Sequence, residues 1–184
     1  IATAPVLTEK TAQALELNKI LKEKSITTFF HPIVNLQEGS VLGYEALSRG
    51  PVNSILASPD QLFSVANDLE KTWELDYLCR ITAIETAFPS INDKILFINV
   101  DPKVLYDKFF HHGSTKVILA EHTINISQIV FEITEKTAIT DLANFKDILE
   151  NYRSQGYRLA LDDVGSGYSG LTLLAQTSPQ FIKI

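Results

Sequence analysis

The 184-residue chain is 45% hydrophobic and 21% charged, with a formal charge of −6, one cysteine and no methionine. A mean hydropathy of +0.07 excludes both a disordered chain and a membrane-embedded one. The lone Cys79 excludes an internal disulfide framework and a multi-cysteine zinc site and fits a reducing, cytoplasmic compartment, while the negative charge argues against a binder of polymeric nucleic acid.

Taken in chain order, residues 8–23 have the spacing of an amphipathic helix, with Ala12, Leu15, Ile20 and Leu21 among charged residues. Residues 27–36 and 41–47 are strand candidates separated by the turn Glu38-Gly39-Ser40. Ser58, Pro59 and Gln61 together predict a helix start with a capping box. A second helix runs through Trp73, Tyr77, Leu78, Ile81 and Ile84 to Pro89. Strands are then expected at 94–99, 129–132, 158–162 and 181–184, and helices near 102–112, 114–122, 141–155 and 169–176, with Gly156 ending the third of these. Short apolar strands alternating with helices predict an α/β fold with a parallel sheet buried on both faces. No apolar run approaches the roughly 18–20 residues of a membrane span, and Ile1-Ala2-Thr3-Ala4-Pro5 is not a signal peptide. Asn125-Ile126-Ser127 matches a glycosylation sequon but reads as a surface turn.

Function is written where the apolar runs stop. Val41–Tyr44 runs into Glu45, Ile95–Ile98 into Asn99, Ile129–Phe131 into Glu132, and Leu159–Leu161 into Asp162-Asp163, while Lys183 lies inside the last run. In an α/β barrel or open α/β sheet the C-terminal strand edge is where reactive groups converge. A single polar residue there is usually a loop entry. Four carboxylates converging without matching bases would repel one another, and divalent metal ions relieve that. Carboxylate and amide oxygens suit Mg²⁺ or Mn²⁺, and two such ions can activate water for an in-line phosphoryl displacement. Lys183 could orient that water; alone, it would read equally well as a lysine snorkelling from a strand edge. The Gly165-Ser166-Gly167 stretch after Asp163 predicts a tight loop whose backbone can approach a ligand.

These residues resemble the EAL domain, a family of bacterial cyclic di-GMP phosphodiesterases. The likeness runs in order through Phe30-His31-Pro32-Ile33, Glu45-Ala46-Leu47 with Leu47-Ser48-Arg49, Phe97-Ile98-Asn99-Val100, Phe131–Glu135, the Asp162–Leu171 loop and Phe181–Ile184. It implies a TIM-like (β/α) barrel with one antiparallel strand and hydrolysis of cyclic di-GMP to linear pGpG with Mg²⁺ or Mn²⁺. By position, Glu45, Asn99, Glu132 and Asp162 match metal ligands, and Asp163 matches a second aspartate at the metals. Lys183 matches the lysine at the nucleophilic water, and Arg49 the arginine gripping a substrate phosphate. Leu47 and His31 fall beside the substrate, and Glu135 matches the glutamate that steadies the Asp-Asp loop. The resemblance also implies homodimerisation through that loop, and flanking sensory or cyclase domains.

Two departures stand out: His31 where the family usually has Gln, and Val164 where it has Phe. A receptor that binds cyclic di-GMP without cutting it is the alternative these departures keep open, although such members typically lack ligands present here. Barrels of this type need about 250 residues and eight strands. Residues 1–184 are therefore expected to form one EAL domain that stops before the last strands, with residues 8–23 as a leading helix.

Overall fold

The computed structural model describes residues 8–134, 142–164, 174 and 177–184. Helix α1 (Glu9–Glu23) starts at Thr8, whose side chain accepts from the Thr11 N–H, and it buries Leu17 and Ile20. Strands β1 (Thr27–Asn35) and β2 (Ser40–Arg49) form an antiparallel pair that sets His31 opposite Glu45 and Phe29 opposite Leu47. Helices α2 (Pro59–Asp68) and α3 (Thr72–Ile91) follow, then β3 (Ile95–Asn99), α4 (Ser114–Glu121), β4 (Ile129–Thr134), α5 (Leu142–Ser154), β5 (Arg158–Asp162) and β6 (Phe181–Ile182). The sheet runs β1-β2-β3-β4-β5-β6, and every pairing after the first is parallel. This is the expected α/β architecture with one antiparallel strand.

Burial explains the layering. The main core lies between the outer sheet face and the helices, where Leu96, Ile98, Ile129, Phe131, Leu159 and Leu161 meet Ala83, Ile84, Phe145 and Leu149. The inner face carries a smaller cluster of Phe97, Val130 and Ala160 with Ile33, Ile95 and Phe181. Strand alternation then fixes the direction of the polar residues. Asn99, Glu132, Asp162 and Lys183 each lie two positions after an inner-face residue (Phe97, Val130, Ala160 and Phe181). They therefore share that face, one pleat nearer the strand C-termini. Strands β2 and β3 approach closely at Gly43, where an added Cβ would lie 2.3 Å from the Ile95 carbonyl oxygen.

Several local expectations need correction. Ser58 precedes α2, but its side chain makes no capping hydrogen bond, so the predicted capping box is absent and Pro59 begins the helix with its φ already set. The helix expected near 102–112 is a 3₁₀ segment, Pro102–Tyr106, followed by turns. Pro102 opens it, Asp107 bonds the Phe109 N–H through its side chain at 2.8 Å, and Gly113 turns at positive φ. These local bonds compete with a regular helix. The last strand ends at Ile182 rather than 184. The helix expected near 169–176 lies largely outside the described residues. Gly156 does end α5: it turns at φ +94°, its N–H reaches the Arg153 carbonyl, and the Tyr157 N–H reaches that of Tyr152. The sequon, expected as a surface turn, instead starts a short 3₁₀ helix, Ile126–Gln128, which Asn125 caps: its Oδ1 accepts from the Ser127 N–H at 2.9 Å.

Candidate metal centre

Three carboxylates from three strands meet on the inner face. One oxygen each from Glu45, Glu132 and Asp162 can be chosen so that all three lie within 4.8 Å of one another. Lys183 stands among them, with its Nζ 3.0 Å from Glu45, 3.0 Å from Glu132 and 3.2 Å from Asp162. One ammonium facing three carboxylates leaves the cluster short of positive charge.

Burial differs sharply across the group. The Glu132 side chain is 0% exposed, against 14% for Glu45, 19% for Asp162 and 27% for Lys183. Burial pushes the Glu132 carboxyl up to about 7, with Lys183 opposing the rise and Glu45 and Asp162 adding to it. Lys183 shows the opposite balance: burial favours its neutral form, but Glu132 and Glu45 hold its pKa above the ordinary lysine value. Neither Glu132 oxygen has a well-aligned hydrogen-bond donor, even though Lys183 is at ion-pair distance. Buried carboxylate oxygens without aligned donors, in an all-oxygen set, fit a hard divalent cation.

The surrounding residues divide into near and rim positions. Asn99 donates from Nδ2 to Glu45 Oε1 at 3.4 Å and so belongs with the cluster. Asp163 is exposed at the rim; its N–H bonds Asp162 Oδ1 at 2.8 Å, and its backbone turns at φ +57°. The Val164 N–H donates to the Lys183 carbonyl at 3.0 Å, which ties the start of the loop after β5 to the lysine segment. Beside the cluster opens a cleft of about 630 Å³, lined by Glu45, Leu47, Arg49, Asn99, Asp162 and Asp163 among others. Arg49 donates from Nη1 to the Ser48 carbonyl at 2.8 Å. His31 is exposed, directly across the β1–β2 ladder from Glu45. Glu135 and the Gly165-Ser166-Gly167 stretch lie outside the described residues.

Sequence reasoning missed the support behind the cleft. Asp76 and Arg80 on α3 form a fully buried ion pair. Asp76 Oδ1 accepts from the Asp101 N–H at 3.0 Å, and Arg80 Nη1 donates to Thr115 Oγ1 at 3.2 Å. The signal was present as an acid and a base four residues apart on a helix whose other positions are largely apolar. Cys79, next to them, is buried and its thiol is pushed up to about 12 by that burial, which leaves it unreactive.

The family model described as "EAL domain" matches residues 14–184. The chain belongs to the EAL domain family. Among curated relatives, it is 31% identical over 162 residues to the probable cyclic di-GMP phosphodiesterase PdeI of Escherichia coli K12, covering 84% of this chain and 21% of that protein. It is 27% identical to the probable cyclic di-GMP phosphodiesterase PdeB of the same organism, covering 91% of this chain and 33% of that protein. The EAL domain chain thus spans a fifth to a third of these relatives. A solved structure of Klebsiella pneumoniae BlrP1, a calcium and cyclic di-GMP complex, superposes with a TM-score of 0.77 at 28% identity, over 99% of this chain and 42% of that one. The TIM-like barrel sheet of the EAL fold is the one described above, and among the described residues β1 and β6 are its two edges. No described helix is long and apolar enough to cross a membrane.

Proposed function

We propose that this chain is the EAL domain of a phosphodiesterase that hydrolyses one phosphodiester of cyclic di-GMP to give linear pGpG. The observation that carries the reading is the convergence of Glu45, Glu132, Asp162 and Lys183 beside a cleft that also holds Arg49. Relatives named as cyclic di-GMP phosphodiesterases, and BlrP1 structures in complex with that dinucleotide and manganese or calcium, support it.

Glu45, Asn99, Glu132 and Asp162, with Asp163 from the rim, would hold Mg²⁺ or Mn²⁺. Bound there, the cations supply positive charge that activates water and stabilises the phosphorane-like transition state. The protein's own groups do the rest. The Arg49 guanidinium presents paired donors suited to a phosphate, once it leaves the Ser48 carbonyl. Leu47 and His31 border the same end of the sheet and contact the substrate. Lys183, whose pKa Glu132 and Glu45 hold above the ordinary lysine value in the metal-free protein, acts as a hydrogen-bond donor that orients the attacking water. Water adds to phosphorus and gives up a proton, the ester bond to one ribose breaks, and the departing oxygen takes up a proton in exchange, giving the free hydroxyl of pGpG. The family resemblance assigns Glu135 the role of steadying the loop after Asp163.

The same reading includes a cytoplasmic protein, a homodimer joined through the Asp162-Asp163 loop, and neighbouring sensory or cyclase domains elsewhere in the full-length protein. One relative, a bifunctional cyclase and phosphodiesterase of Pseudomonas aeruginosa, has a name that fits the last point. The test is incubation of the full-length protein with cyclic di-GMP and Mn²⁺, followed by chromatography. Appearance of pGpG supports the enzyme; tight binding without product supports the receptor instead.

A further inference from the structure

We propose that the buried Asp76–Arg80 pair is a positioning device for the metal centre, acting through the backbone just beyond Asn99. This rests on the reading of Asn99 as a ligand. Asn99 is the last residue of β3, and the chain leaves the sheet immediately after it. Two hydrogen bonds fix that departure. The Val100 N–H reaches the Glu132 carbonyl at 3.1 Å, and the Asp101 N–H reaches Asp76 Oδ1 at 3.0 Å. The first locks the segment to a strand that carries another ligand. The second locks it to α3.

The Asp76 anchor is itself held rigidly. Its other oxygen pairs with Arg80, which bonds Thr115 of α4 at 3.2 Å and lies over the Phe131 ring of β4 at 5.0 Å. Asp76 and Arg80 are each 2% exposed. A pair this buried is weak as a source of stability, because desolvation cancels most of its attraction, but it fixes geometry well. The consequence is that the Asn99 amide has little freedom to move away from Glu45, 3.4 Å from it. Outer hydrogen bonds of this kind set ligand orientation, and their loss typically costs about 10- to 100-fold in metal affinity.

The test compares two double variants of the full-length protein that both remove the ion pair. Asp76→Asn/Arg80→Leu keeps an oxygen acceptor for the Asp101 N–H, whereas Asp76→Leu/Arg80→Leu removes it. Mn²⁺ affinity is read by titration without nucleotide, alongside melting temperature in chelator. The Asn variant should bind Mn²⁺ within about 2-fold of wild type and the double leucine variant about 10-fold or more weakly. Equal affinity in the two overturns the proposal, as does a wild-type protein that binds no Mn²⁺. A purely structural role would lower the melting temperature and leave the affinities equal. If the double leucine variant does not fold, Asp76→Ala/Arg80→Met replaces it with the same expectation. A wild-type protein that binds Mn²⁺ but cleaves nothing refutes the phosphodiesterase reading alone, and the affinities still decide the positioning role.

Discussion

Glu132→Gln should make the metal-free protein more stable at alkaline pH while removing its metal site. The Glu132 carboxyl is fully buried and rises from 4.5 to about 7. A raised folded pKa means that the folded state holds the proton more tightly than the unfolded chain does. The site therefore costs nothing below about pH 4.5, and its cost grows as pH rises toward 7 and levels off above it. The rise from 4.5 to about 7, at about 1.4 kcal/mol per pH unit, sets an upper bound of about 3.5 kcal/mol once Glu132 is fully ionised. For a chain of this size that corresponds to roughly 7–14 °C of melting temperature. Gln keeps the shape and removes the charge, so in chelator the variant should melt higher than wild type at pH 8 and equally at pH 4. Adding Mn²⁺ should raise the wild-type melting temperature and leave the variant unmoved. A variant that melts lower at pH 8, or a gain that persists unchanged at pH 4, would refute the reasoning.

Other outcomes follow from the same geometry. Glu45→Ala should lower turnover by at least about 100-fold, since a direct ligand matters no less than the outer-shell groups that orient it, with little change in melting temperature in chelator. Kinetics and thermal melts on one preparation check this. Lys183→Met should separate binding from chemistry: Mn²⁺ should bind as tightly as to wild type or more so, because a competing cation is gone, while turnover falls by about 100-fold. Isothermal titration and product formation read the two effects. Replacing Mg²⁺ by Ca²⁺ should suppress turnover without preventing nucleotide binding, because Ca²⁺ prefers more ligands at longer distances. Proton release on Mn²⁺ binding to the wild type, measured in weakly buffered solution, should increase as pH falls from about 8 to 6, since Glu132 must ionise to bind.

Much of this site was legible in the sequence because strand alternation is so regular. Phe97-x-Asn99, Val130-x-Glu132, Ala160-x-Asp162 and Phe181-x-Lys183 each place an inner apolar residue two positions before a polar one. One sheet face therefore collects all four without any knowledge of loops. The position of Lys183 within bonding distance of three carboxylates was not legible, since it depends on the stagger between strands. Asp76 and Arg80 escaped for a different reason. An acid and a base at i and i+4 on a helix normally mark its solvated side, and only the packing of α4 and β4 against α3 turns that side inward. The Ser58 box failed because cap chemistry describes what a side chain can do, and at this N-terminus Ser58 makes no such bond.

The central claim is that these strand ends build a hydrolytic metal centre and not merely a nucleotide-binding cleft. Its most direct test is a single reaction: the full-length protein, cyclic di-GMP and Mn²⁺, with and without chelator, resolved by chromatography over time. The account predicts pGpG that accumulates with Mn²⁺ and is absent with chelator. Intact cyclic di-GMP after prolonged incubation with saturating Mn²⁺, or equal cleavage in chelator, would contradict it.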